Sequence, residues 1–238
     1  MESVKGKNIL IIGATGGIGS ALVKLLAGSG ANLFLTGRDS EKLSVIAAQS
    51  GINTDRIFSA DISDPGQVSA LKEKYFSVYP SVDILINAAG VGIIKPIENL
   101  SGDEFLQTIH FNLYAPFLLL KAFLPAMKES KKGLIINIPG VLGKTPMACA
   151  VAYSASKYGL TGMMQSIREE VKRTEIRITN IFMGGVDSPF WDKIDLRVQR
   201  EKMIRAEEAA RAIWFLCQQP LSAVVSEMVL QPFNHQAI

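Results

Sequence analysis

Apolar positions along this chain follow two rhythms. Short unbroken runs, of which Asn8-Ile9-Leu10-Ile11-Ile12 is the first, have the pattern of strands buried on both faces. Between them, apolar residues recur every three or four positions, as in helices packed along one side. The runs predict strands at Asn8–Ile12, Leu33–Thr36, Arg56–Ser59, Asp83–Asn87, Leu134–Ile138, Ile176–Phe182 and Met228–Leu230. Helical stretches follow from Ser20 to Ala27, about Ser40 to Gln49, from Pro65, and from Ser101 to about Lys128. Two more carry Tyr153 to Val171 and roughly Ala206 to Gln218. Asp64, Pro65 and Gln67 have the order of a capping box with proline in the first turn, and Ser101 with Glu104 repeats it. Pro116 falls inside the long fourth helix, where it crowds and frees the Asn112 carbonyl and predicts a kink.

Strands that alternate with helices through short connections predict an α/β fold. It is a doubly wound parallel sheet of about seven strands with helices on both faces. Ligands of such sheets gather at the carboxyl ends of the strands. Gly13, Thr15, Gly16, Gly17, Ile18 and Gly19 follow the first strand, Arg38 the second, Asn87 the fourth, Gly140 the fifth and Met183 the sixth. They are expected to converge on one crevice.

Composition narrows the function classes. With 238 residues, nearly half apolar, the chain can bury a full core as one domain, 1–238. A net charge of +3 without a basic run argues against nucleic acid. Cys149 and Cys217 lack metal-ligand spacing and read as reduced thiols, His110 and His235 stand alone, and no metal is expected. No apolar signal core opens the chain and no run approaches a membrane span, so a cytoplasmic protein is expected.

Two motifs carry chemistry. A glycine-rich turn between a buried strand and a helix lets backbone approach a phosphate that the helix N-terminus attracts. Tyr153 and Lys157, four apart, share one helix face, where an ammonium near a phenol favours phenolate and makes Tyr153 a candidate general acid/base. A pair of this kind is common by chance; its agreement with the glycines is what gives it weight.

Together these features resemble the single-domain, Rossmann-type form of the short-chain dehydrogenase/reductase family, along the whole chain. Gly13, Gly17 and Gly19 match the family's cofactor glycines, with Ile12 where threonine is usual. Asp61 matches the aspartate near the adenine, with Ile62 beside it. Asn87-Ala88-Ala89-Gly90 matches the Asn-Asn-Ala-Gly motif, with Ala88 for the second asparagine. Asn112, Tyr153 and Lys157 match the catalytic residues, and Gly184, Val186 and Ser188 the segment beside the nicotinamide, with Met183 where proline is usual. The resemblance implies hydride transfer between a nicotinamide cofactor and a carbonyl or alcohol, with Tyr153 moving the proton. Lys157 would hold the ribose, and the Asn112 main chain a relay water. Arg38 stands where NADP-preferring members carry a basic residue, which implies NADP(H), with NAD(H) the lesser alternative; Asp39 belongs by position to the next helix start. The resemblance also implies a homodimer or homotetramer.

One position departs from the pattern. The family's catalytic serine, thirteen residues before the tyrosine, is Gly140 here. Loss of one such donor costs about 10²–10³ in rate. Three readings follow: a reductase in which a water, the Gly140 N–H, Thr145 or a substrate group fills the gap; a dinucleotide-binding sensor, scaffold or subunit partner; or different chemistry on the same fold. Gly140→Ser is expected to raise turnover. Ile93, Ile94, Val141, Met147, Cys149, Met183, Phe190 and Trp191 are the expected substrate walls, suited to a hydrophobic or aromatic carbonyl.

Overall fold

The computed structural model describes residues 2–233. Its strands are β1 (Asn8–Ile12), β2 (Asn32–Gly37), β3 (Ile57–Ser59), β4 (Ile84–Asn87), β5 (Lys132–Asn137), β6 (Glu175–Met183), the two-residue β7 (Val186–Asp187) and β8 (Ile204–Arg205), and β9 (Glu227–Leu230). Seven of them form one parallel sheet in the order β3-β2-β1-β4-β5-β6-β9, while β7 and β8 pair only with each other. The helices are α1 (Gly17–Leu26), α2 (Ser40–Gln49), α3 (Pro65–Val78), α4 (Gly102–Ile109), α5 (Ala115–Ser130), α6 (Val151–Val171) and α7 (Ala206–Cys217). α1, α2 and α7 bury Leu22, Leu26, Leu43 and Ile213 on one face of the sheet. α3, α5 and α6 bury Leu71, Tyr75, Phe123 and Met164 on the other. This is the doubly wound arrangement expected. The strand order reverses between β1 and β4, which opens the crevice there.

The differences from the sequence reading have local causes. α1 begins at Gly17 rather than Ser20, because Gly16 is its N-cap and the glycines form the first turn. Gly13 is held at a φ of 79°, and a Cβ on Gly19 would lie 2.1 Å from the Gly13 carbonyl. Helix and strand therefore approach more closely than side chains permit. Asp64 caps α3 through Gln67 N–H, but the Gln67 side chain reaches past it to accept from Asp61 N–H (2.8 Å), so the reciprocal box does not form. The Ser101–Glu104 box does.

Pro116 falls in the first turn of α5. Its missing N–H is absorbed by a π-helical turn, His110–Tyr114, closed by Ala115 N–H donating to the His110 carbonyl, and α4 and α5 run on as one long helix. By length and mean hydropathy Gly102–Ser130 would suffice to cross a membrane. In the fold its Leu119, Phe123 and Met127 are buried in the core.

Three asparagines lie in register at the strand ends: Asn87 beside Asn137, and Asn137 beside Asn180. All are buried on the α3–α5–α6 side, two residues beyond Leu85, Ile135 and Ile178. Asn87 donates from Nδ2 to Asn137 Oδ1 (3.0 Å), while both amide atoms of Asn180 lack a protein partner.

Candidate functional site

A cleft of about 550 Å³ opens over the strand ends, lined from the glycine turn at one end to Tyr153, Lys157 and the Phe190–Trp191 segment at the other. The N-terminus of α1 is its first component. No side chain caps α1 and no acidic residue lies in its first turn, so its leading N–H groups remain available to an anion. Gly17 packs so closely on Ser188 that a Cβ there would lie 2.5 Å from the serine Cβ. Thr15, Gly16, Gly17 and Ile18 line the cleft, whereas Gly13 and Gly19 act behind it, in packing.

Arg38 lines the cleft past the end of β2, its guanidinium 4.8 Å above the Phe111 ring. Asp39 is the N-cap of α2, accepting from Lys42 N–H (2.9 Å). That geometry brings Lys42 to the cleft beside Arg38, a second cation that sequence reading missed. Its signal was the spacing: the third residue after an N-cap turns back toward the strand end. Asp61 and Ile62 do not line the cleft. The Ile62 side chain is in the core. Burial raises the Asp61 carboxyl, but hydrogen bonds from the Ser63 hydroxyl (2.6 Å) and N–H, with Arg38 and His110 nearby, leave it below its usual range.

Beyond β4, Asn87 accepts from Ala89 N–H (3.3 Å), shaping the turn that carries Ala88, Ala89 and Gly90 into the cleft. Asn112 latches the same turn: its side chain accepts from Val91 N–H (3.0 Å) and donates to the Val91 carbonyl (2.8 Å) and to Ser156 Oγ (3.1 Å). The side chain is thus fully engaged in structure, leaving only its main chain for any relay. A Cβ on Gly90 would lie 3.4 Å from both Asn112 Oδ1 and Lys157 Nζ. The glycine is the gap through which the lysine is reached.

α6 places Lys157 beneath Tyr153, with Nζ 5.4 Å from the centre of the phenol ring and donating to the Ile138 carbonyl (3.2 Å). Lys157 is 4% exposed, and burial pushes its ammonium down to about 8. Burial also pushes the Tyr153 phenol upward. This reverses the sequence expectation that the lysine would draw the phenol toward neutral pH. The ammonium faces the ring rather than adjoining the hydroxyl, and desolvation of the phenolate dominates. At neutral pH Tyr153 holds its proton.

Neither protein group proposed to replace the missing serine does so. Gly140 N–H donates to the Ile181 carbonyl (3.3 Å), and Thr145 is exposed and outside the cleft. Around Gly140 the lining side chains are Val141, Leu142, Met147 and Met183, none with a strong donor. Gly140 itself has φ 73° and ψ 169°, a region open essentially to glycine alone, and a Cβ would point to the Met183 carbonyl at 3.4 Å. Of the expected substrate walls, Ile94, Val141, Met147, Met183, Phe190 and Trp191 line the cleft; Ile93 and Cys149 do not. Gly184, Val186 and Ser188 close its rim. Among the described residues no cluster of His, Cys, Asp and Glu is suited to a metal ion, and His235 lies outside them. Cys149 and Cys217 are free thiols.

The components suit a dinucleotide: an uncapped helix N-terminus behind glycines, two cations at the neighbouring strand end, and a deep cleft running to a half-buried phenol over a buried ammonium. A crevice of this kind at the sheet's switch point defines a dinucleotide-binding α/β protein. Residues 7–199 match the short chain dehydrogenase family, and the chain belongs to it. It is 30% identical over 233 residues to an uncharacterised oxidoreductase of Staphylococcus epidermidis, covering 98% of this chain and all of that one. A metagenomic short-chain oxidoreductase in complex with NADP superposes with a TM-score of 0.83 at 31% identity, covering 97% and 99% of the two chains. An alcohol dehydrogenase from the archaeon Thermococcus sibiricus, complexed with 5-hydroxy-NADP, gives 0.86 at 26% identity, covering 96% and 97%.

Two expectations follow. Unfolded, Lys157 titrates near 10.5; folded, near 8. Below pH 8 both states are protonated and the folded protein bears the full cost of the buried charge. Between about 8 and 10.5 the unfolded chain holds more protons on this residue, so stability rises with pH in that window. From pH 7 to 9.5, urea unfolding should show the wild type gaining on the order of 2 kcal/mol relative to Lys157→Met. Parallel pH dependences in the two proteins would contradict this. Gly140→Ser, in turn, should lower stability by about 1–3 kcal/mol through its backbone. A serine there would have to hold a backbone conformation that side chains rarely adopt, so no gain in turnover is expected, contrary to the sequence reading. A melting curve and an NADPH-oxidation assay decide it: higher turnover at unchanged melting temperature would refute the backbone argument.

Proposed function

We infer that this oxidoreductase is an NADPH-dependent reductase of hydrophobic carbonyl compounds. The observation that carries this reading is the placement of a protonated Tyr153 over Lys157 at the apolar end of a cleft whose other end carries Arg38 and Lys42. Bound NADPH would supply the hydride, ending as NADP⁺ while a carbonyl carbon is reduced to an alcohol. The Tyr153 hydroxyl gives its proton to the carbonyl oxygen as the C=O π pair moves onto that atom. Burial keeps the proton on the phenol, the form from which reduction draws it. Lys157, with an ammonium near neutrality, returns the proton to Tyr153 and donates to the nicotinamide ribose. The Asn112 carbonyl, which Pro116 cannot engage, would hold the water that resupplies it.

NADPH is favoured over NADH because Arg38 and Lys42 both line the cleft, while Asp39, which lines it beside them, caps α2 through Oδ1 and has Oδ2 3.6 Å from Lys42 Nζ. The NADP complexes of the two solved relatives agree with this choice. The exposed apolar residues Leu106, Tyr114 and Phe117 on α4–α5, with Val151 and Tyr158 on α6, support pairing of chains through these helices into a dimer or tetramer.

The test is NADPH consumption over a carbonyl panel. Tyr153→Phe should abolish turnover with NADPH affinity unchanged by calorimetry; wild-type rate in this variant would remove Tyr153 from the mechanism. Arg38→Ala should weaken NADPH at least tenfold and leave NADH within about threefold, since a charge-assisted contact to the 2′-phosphate is worth about 1.5–3 kcal/mol. Equal or tighter NADH binding by the wild type would overturn the cofactor assignment.

A further inference from the structure

The apolar end of the cleft holds a contact that the cofactor and the proton relay do not explain. Gly92, in the turn after β4, has a backbone that does not demand glycine, since its φ is outside the left-handed region. What excludes a side chain is Phe190: a Cβ on Gly92 would lie 2.3 Å from the ring's Cζ and 2.7 Å from Cε2. The ring thus rests directly on the Gly92 main chain. Its centroid is 5.8 Å from that of Tyr153, tilted by 42°, and 5.2 Å from that of Trp191, nearly perpendicular. Phe190 is half-buried, so it still presents surface to the cleft it lines.

The ring is held in place from behind. Trp191 is buried and donates from Nε1 to the Val186 carbonyl (2.9 Å). Arg200 staples the segment with three bonds, to Asp187 Oδ1 (2.6 Å), Asp192 Oδ1 (2.7 Å) and the Ser188 carbonyl (2.9 Å). Ile204 N–H donates to the Gly185 carbonyl (3.0 Å), where β8 joins β7. The aromatic wall is therefore preorganised rather than a loose loop residue.

The vacancy of function at Gly140 sharpens the point. Lining side chains there offer no strong donor to turn a carbonyl toward Tyr153, so orientation must come from shape and stacking. We propose that Phe190, seated on Gly92 beside Tyr153, is the specificity-determining residue of this cleft, selecting flat, conjugated ketones and 1,2-dicarbonyls that stack against its ring. This rests on the carbonyl-reductase reading. A planar substrate lying against Phe190 has its carbonyl edge directed to the neighbouring Tyr153, whereas a flexible aliphatic dione of the same functional group gains no such alignment.

The probes are isatin, a flat bicyclic 1,2-dicarbonyl, and 2,3-hexanedione, its aliphatic counterpart. Steady-state NADPH oxidation with wild type is expected to favour isatin in kcat/KM. Phe190→Leu should lower kcat/KM for isatin about tenfold, mainly through kcat, and change 2,3-hexanedione less than threefold. Phe190→Tyr should retain the preference, and Gly92→Ala, by displacing the ring, should lose it with Phe190 intact. Isatin binding to the NADP⁺-loaded protein, followed by calorimetry where no reduction can occur, should weaken in the same order. Equal losses for both diones in Phe190→Leu, or isatin affinity unchanged in Phe190→Leu and Gly92→Ala, would overturn the proposal. Should neither dione turn over, while isatin binds the loaded protein and Phe190→Leu abolishes that binding, the stacking site stands and the reductase reading falls. If Phe190→Leu does not fold, Gly92→Ala against Phe190→Tyr decides by the same two readouts.

Discussion

The constraint on which the Tyr153 end of the cleft depends is the burial of one ammonium. Lys157 donates to a single described protein acceptor, the Ile138 carbonyl, and its environment resists its charge. An unpaired charge in such a place is costly unless polar groups converge on it. The surroundings supply that one acceptor and a fixed neighbourhood: β5 ends so that Ile138 presents its carbonyl, Gly90 lies bare beside Nζ, and Asn112 fixes the turn that carries Gly90. The same desolvation leaves the neighbouring phenol protonated. In the proposed mechanism, acid and relay would both follow from this one burial.

The parallel sheet and the convergence of its strand ends were legible because buried parallel strands are written as unbroken apolar runs. Tyr153 and Lys157 were legible through helical spacing, and Asp39 through its place before a helix. What was hidden depended on backbone geometry or on contacts distant in sequence. The π-turn before Ala115 accommodates Pro116 within one continuous helix, and a sequence shows the problem, not the solution. The two-residue β7 and β8 are too short to leave a periodic signal. Lys42 reached the cleft only through its cap, and Gly92 was a turn glycine until Phe190, nearly a hundred residues later, gave it a reason.

Gly140 shows how a substitution can be absorbed. A glycine where a hydroxyl is usual looks in the sequence like the deletion of one donor. In the fold the backbone holds a conformation that only glycine adopts readily, and its N–H donates to the Ile181 carbonyl. A serine placed here would meet a main chain it does not favour, so restoring one atom does not by itself restore a donor.

The file of asparagines has a consequence for assembly of the sheet. Parallel strands made of Ile and Leu are nearly interchangeable in alignment, because sliding one past another exchanges like for like. Asn87, Asn137 and Asn180 break that degeneracy. A slip of one residue would carry an amide through the sheet, into the layer packed by α1 and α7, away from its neighbours and from the crevice. The amides thus work as a key: they penalise a one-residue slip, and the strand ends that build the cleft arrive level with one another.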